Sequence, residues 1–177
     1  GREWGGWGGG GGEEVVRGAR GGAGGGWPRS RGGVSCSDSG TGVVRGWRGD
    51  GDTGSEAGTA EVYARGAVGA VTHVSKLAAA DGAAWDYFGI SVSVSGSLIV
   101  VGAHGDDDKG PMSGSAYVFE KGADGAVTQL AKLAPADGAA DDQFGRSVSA
   151  PGPLTGVCAQ GADAQRSKSR PPYVHVR

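Results

Sequence analysis

Asp106-Asp107-Asp108, followed by Lys109-Gly110, is the densest run of metal-ligating side chains in the chain. Calcium is held by about six to eight oxygens on a tight turn, so these three acids could supply part of a ligand set. Asp50 and Asp52 offer a sparser version of the same run. Consecutive acids are also what a solvated loop uses to keep a sheet edge from pairing. The run is therefore taken first as a solvated loop, with calcium at Asp106, Asp107 and Asp108 as the one cofactor option. No other catalytic, cofactor-binding or metal residue is assigned.

The remaining reactive residues suggest less. His73, His104 and His175 are the only histidines, and a hydrolytic triad would need one of them beside a nucleophile and an acid. None has such a context, so all three are expected at the surface and no enzymatic activity is expected. Cys36 and Cys158 are too few and too far apart for a disulfide framework or a zinc site. Cys36 is expected to be a small apolar strand residue. Arg48-Gly49-Asp50 spells an adhesive tripeptide, but composition and the repeat described below account for it. Gly6, Gly8 and Gly11 fit a phosphate-loop spacing only because they lie in a Gly tract with no preceding strand.

Charge excludes further classes. Residues 1–48 carry seven Arg against four acids, residues 49–145 carry 14 acids against five bases, and residues 146–177 carry five bases against one acid. An acidic middle is not a phosphate-binding surface, so no nucleic acid partner is expected. No apolar run approaches the roughly 18 residues of a membrane helix, so no membrane span is expected. Residues 2–30 show no basic head followed by an apolar stretch, so no secretory signal is visible there. A chain that starts on Gly, with 39 Gly overall and a patternless beginning, is taken to be a fragment.

What must position these residues is a repeat. Residues 76–95 align without gaps on residues 132–151 at an offset of 56, with 14 of 20 positions identical. The same offset places residues 60–77 on 116–133 with 10 of 18 identical, and residues 33–52 on 89–108 with 10 of 20 identical. Self-similarity at such a period marks a repeat architecture. The chain divides into a Gly-rich segment (1–32), a repeat region (33–152) and a basic unpatterned tail (153–177), with disorder expected at both ends. Within the repeat region lie an eroded copy (33–75), a complete copy (76–131) and a truncated copy (132–152).

Inside the complete copy, Ile90 to Val94 alternates, Ser95-Gly96-Ser97 turns, and Leu98 to Val101 is apolar, which predicts a hairpin. Ser115 to Phe119, a turn at Gly122 to Gly125 and Ala126 to Leu133 complete four strands. Four short strands per unit predict an all-β fold of propeller blades, each burying its faces against its neighbours. Phe88 and Phe144 are the expected packing residues between blades, Asp81-Gly82 and Asp137-Gly138 the expected turns, and Trp85 is either exposed or a local contact.

Phe88-Gly89, Gly102-Ala103 after the hairpin, and Gly114-Ser115-Ala116-Tyr117-Val118-Phe119 resemble the FG-GAP repeat, which builds the propeller of integrin alpha chains. Phe144-Gly145 repeats the first element, and Gly46-Trp47 with Gly58 to Tyr63 the later ones. The resemblance covers roughly residues 33–152 and implies a partial β-propeller with a non-enzymatic binding role, extracellular or at the cell surface, toward a protein or glycan. The family's calcium loop joins the first two strands of a blade. Here it reads Val94-Ser95-Gly96-Ser97 or Asp38-Ser39-Gly40-Thr41, which departs from that pattern. Two and a half units do not close a ring, so uncovered blade faces could self-associate. The alternatives are a fragment of a propeller-scaffold enzyme and a misassembled gene product with no stable fold.

Overall fold

The computed structural model describes residues 35–40, 42–49, 54–66, 70–150, 155–159 and 174–176. The Gly-rich segment 1–32, most of the tail 153–177, and Asp50 and Asp52 lie outside the described residues. The strands are β1 (Cys36–Asp38), β2 (Gly42–Trp47), β3 (Thr59–Arg65), β4 (Val71–Leu77), β5 (Ser91–Ser95), β6 (Leu98–Ala103), β7 (Ser115–Lys121), β8 (Val127–Leu133), β9 (Phe144–Ser149), β10 (Thr155–Ala159) and β11 (Val174–Val176). They form antiparallel meanders: β1-β2-β3-β4, β5-β6-β7-β8, and a three-stranded sheet of β9, β10 and β11. Among the described residues there is no helix, and the chain is all-β, built of propeller-like blades. β10 and β11 fall within 153–177, the stretch expected from the sequence to be an unpatterned tail.

The hairpin forms where it is predicted. Ser95 pairs with Leu98, leaving Gly96-Ser97 as a two-residue turn with Gly96 at φ +59, the first-position glycine such turns favour. Alternation gives each strand two faces. In the first blade Val44, Ala60, Val62 and Leu77 point toward the second, and meet its Val92, Val94, Ile99, Val101, Tyr117 and Phe119 in one apolar cluster. A second cluster of Val100, Ala116, Phe144 and Ala150 joins the second blade to the third sheet.

The Phe-Gly pairs close these seams. Phe88 is 1% exposed and Phe144 0%, and the Phe88 ring meets Tyr117 and Phe119 edge-on at 5.4 and 6.0 Å. The Phe88 N–H donates to the Ala57 carbonyl at 2.8 Å, and the Phe144 N–H to the Ser113 carbonyl at 2.9 Å. Each segment thereby adds a short parallel bridge to the preceding blade, Gly58 to Phe88 and Gly114 to Phe144. Gly89 and Gly145 sit at φ +89 and +82, and a Cβ there would lie 2.2 Å from the Thr59 carbonyl oxygen and 2.1 Å from that of Ser115. Only glycine allows this backbone-to-backbone approach.

The serines of the first strands in each sheet have a use that alternation alone does not show. The Val92 and Val94 N–H groups donate to Ser35 Oγ and Ser37 Oγ at 3.1 and 3.0 Å, and the Ala150 N–H donates to Ser93 Oγ at 3.0 Å. One strand's side chains thus satisfy backbone donors on the next blade, which a buried seam requires.

Candidate functional site

Two loops meet beside the second blade. One, residues 78–90, carries the chain from β4 into β5, and the other, residues 104–114, joins β6 to β7. Asp106, 3% exposed, is where they converge. Its Oδ1 accepts hydrogen bonds from Ser115 Oγ at 3.0 Å and from the Asp108 N–H at 3.2 Å. Its backbone carbonyl accepts from Ser113 Oγ at 3.0 Å and the Gly114 N–H at 2.8 Å. Lys132 projects from β8, opposite Tyr117 in the β7–β8 ladder. Its Nζ lies 2.6 Å from Asp81 Oδ2, 2.7 Å from Asp106 Oδ2 and 2.7 Å from Asp108 Oδ2. Tyr117 Oη is 3.0 Å from both Asp81 Oδ1 and Asp106 Oδ2, and its single hydrogen is shared between two acceptors.

The titration behaviour follows this geometry. Burial pulls the Lys132 ammonium down, but hydrogen bonds to Asp106, Asp108 and Asp81 more than offset it and hold Lys132 above the ordinary lysine value. Partial burial pushes Asp81 up, yet the Lys132 and Tyr117 hydrogen bonds leave its carboxyl below the usual range. Burial, then the Asp106 charge, pushes the Tyr117 phenol up. The first two effects favour an ionised Asp81–Lys132 pair at neutral pH, and the third keeps the Tyr117 phenol protonated as a donor.

The structure regroups the acids expected as a run. Asp106 and Asp108 come together, but Asp107 does not join them: its Oδ1 accepts the Met112 N–H at 3.0 Å and stiffens the loop. The third carboxylate is Asp81, read from sequence as a turn residue. Lys132 and Tyr117 join the site without a motif of their own; the sequence signal for the ion pair is that Lys and Asp recur at the 56-residue offset, as Lys76 and Lys132 and as Asp81 and Asp137.

His104 corrects the expectation that all three histidines lie at the surface. It is 8% exposed and stacks on Tyr87 at 5.0 Å with rings 24° apart, because its loop folds back beneath residues 85–87. Among the described residues its buried Nδ1 has no hydrogen-bond partner. Burial, then the Arg146 and Arg48 charges, pulls its pKa down to about 4. His73 is exposed and packs edge-on against Tyr63, and His175 lies on β11. Cys36 is on edge strand β1 and exposed rather than packed.

Trp85 is both exposed and a local contact: it is 56% exposed and meets Tyr87 edge-on at 6.4 Å. Trp85 and Tyr87 have φ +74 and +56, as do their repeat counterparts Asp141 and Gln143 at +66 and +52. Left-handed backbone at a bulky residue is costly and persists only where the surroundings enforce it. Here the Trp85 N–H donates to the Ser55 carbonyl at 2.9 Å and the Tyr87 N–H to the Glu56 carbonyl at 3.1 Å.

Calcium does not fit the hairpin position. In the second blade that turn has no carboxylate. In the first, Asp38 is committed to the Gly40 N–H at 2.6 Å and to Arg65 at 2.7 Å. The oxygens of Asp81, Asp106 and Asp108 do lie within 4.8 Å of one another, but the ammonium of Lys132 occupies the space between them.

The profile described as FG-GAP repeat matches residues 71–119 and 127–175. The chain belongs to the FG-GAP repeat family. The first FG-GAP match runs from β4 of one blade to β7 of the next, so the matched unit encloses a seam, with Phe88-Gly89 inside it, rather than a single sheet. The second runs across Phe144-Gly145 and ends within β11. No curated protein matches the chain significantly. Among the described residues, no helix is long and apolar enough to cross a membrane.

Proposed function

We propose that the chain is a non-enzymatic interaction module, contributing blades to an FG-GAP β-propeller and recognising a protein or glycan through the loops beside the second blade. The observation that carries this reading is Trp85: a large aromatic, more than half exposed, fixed in a left-handed conformation by hydrogen bonds to the preceding blade. Exposed aromatics on rigid loops are the residues that most often anchor interfaces. Asp107, exposed on the 104–114 loop, would favour a basic or hydroxyl-rich ligand surface.

A closed propeller needs about four to eight blades, so further blades, from the same or another chain, complete the ring in this reading. The face of the first blade turned away from the second favours a polar neighbour. It carries Arg45 over the Trp47 ring at 3.7 Å, and Glu61 accepting from Trp47 Nε1 at 3.1 Å and from Tyr63 Oη at 2.6 Å. At the matching positions the second blade has Val101, Ala103, Tyr117 and Phe119. Self-association through this face would therefore use polar and aromatic contacts.

The test is a protein and glycan array probed with the natural chain and with Trp85→Ala. A ligand whose binding weakens by about tenfold or more in the variant, with an unchanged unfolding midpoint, supports the reading. Binding indifferent to Trp85 contradicts it, as does substrate turnover lost in His104→Ala.

A further inference from the structure

The geometry points to Lys132 as the resident cation of the Asp81–Asp106–Asp108 cage: its ammonium fills the place a divalent ion would take, so this part of the fold is metal-independent and a site for a hard divalent cation lies latent beneath it. This does not rest on the interaction reading above. Three carboxylate oxygens from two separate loops lie within 4.8 Å of one another. Such a group is repulsive unless a cation sits among them. The Nζ lies within 2.7 Å of all three acids, and the buried Asp106 has no other cation beside it among the described residues. The Lys132 side chain is 19% exposed, anchored on β8 with its Nζ 5.4 Å from the Tyr117 ring centroid. A lysine ammonium has three donors and no acceptor, one for each carboxylate. It is tethered, whereas a metal ion would have to be recruited from solution.

Removing the ammonium while keeping the acids leaves an all-oxygen pocket of three carboxylates and the Tyr117 hydroxyl, with waters able to complete the six or more ligands that calcium takes. A monovalent tether would thus be exchanged for a divalent ion of the same site.

The experiment titrates Tb³⁺ and Ca²⁺ into the natural chain, Lys132→Ala and the double variant Lys132→Ala/Asp108→Asn. Tyr117-sensitised Tb³⁺ luminescence and thermal unfolding are the readouts. Lys132→Ala is expected to bind about tenfold or more tighter than the natural chain, with a Kd of roughly 10⁻³ M or below for Ca²⁺, and the double variant to lose the gain. If Lys132→Ala is unfolded without metal, refolding on Ca²⁺ addition supports the proposal equally. The natural chain supplies an independent check: its unfolding midpoint should be the same in EDTA and in Ca²⁺. A Ca²⁺-dependent rise that Asp108→Asn abolishes overturns the proposal, and so does a Lys132→Ala variant that binds no better than the natural chain.

Discussion

Gly89→Ala compared with Gly96→Ala isolates the energy of the blade seam from the energy of backbone strain. Both glycines have positive φ, +89 and +59, so each substitution forces an alanine into left-handed space at about 1–2 kcal/mol. They differ in surroundings. A Cβ at Gly96 meets nothing within 4 Å, whereas at Gly89 it would lie 2.2 Å from the Thr59 carbonyl oxygen and 2.9 Å from the Trp47 nitrogen. Both are backbone atoms, so relief requires the blades to separate, which lengthens the Phe88-to-Ala57 hydrogen bond and opens packing around Phe88. Losing one buried hydrogen bond costs about 1–3 kcal/mol, and loosening a buried aromatic adds a further part of the roughly 3–5 kcal/mol that its full truncation costs. Gly89→Ala should therefore lose at least about 3 kcal/mol, two to three times the loss in Gly96→Ala. Urea unfolding followed by tryptophan fluorescence measures both. Equal losses in the two variants would refute the seam as the origin of the Phe-Gly requirement.

Phe144→Ala, at 0% exposure, should cost about 3–5 kcal/mol and destabilise the third sheet first, as limited proteolysis would show. Lys132→Ala strands the buried Asp106 carboxylate and should cost about 3–5 kcal/mol, as urea unfolding would measure. His104 makes stability pH-dependent in a defined window. Its folded pKa of about 4 lies below the ordinary 6.5, so the unfolded chain binds the extra proton and stability falls as pH drops from about 6.5 toward 4, by about 3 kcal/mol in all. His104→Gln, matching Gln160 at the repeat position, should flatten that part of the pH profile in thermal melts. Trp85→Ala should change stability by less than about 1 kcal/mol, since the ring is largely exposed and the backbone strain is kept.

The repeat and the strands were legible because both are periodic. The offset of 56 needs no structure to see, and alternation in Ile90 to Val94 places Val92 and Val94 inward. The cage was not legible. Asp81 and Lys132 are far apart in sequence, and only the meander brings β8 and loop 78–90 around Asp106. Loop position alone does not show that His104 is buried, because its burial depends on Tyr87, held left-handed by the neighbouring blade. Past Gly152 the sequence marks only the start of a second strand, at Pro153-Leu154-Thr155, because the Gly-Ala pair that follows it elsewhere does not recur in register.

Hydrogen exchange across residues 83–95 tests most directly the claim that Phe-Gly seams join the sheets into one cooperative core. The account predicts that the Phe88, Val92 and Val94 amides, whose acceptors lie on the preceding blade, exchange as slowly as the β6 and β7 amides within the second blade. Rapid exchange at these three positions beside slow exchange in β6 and β7 would mean that the blades fold separately, and would contradict it.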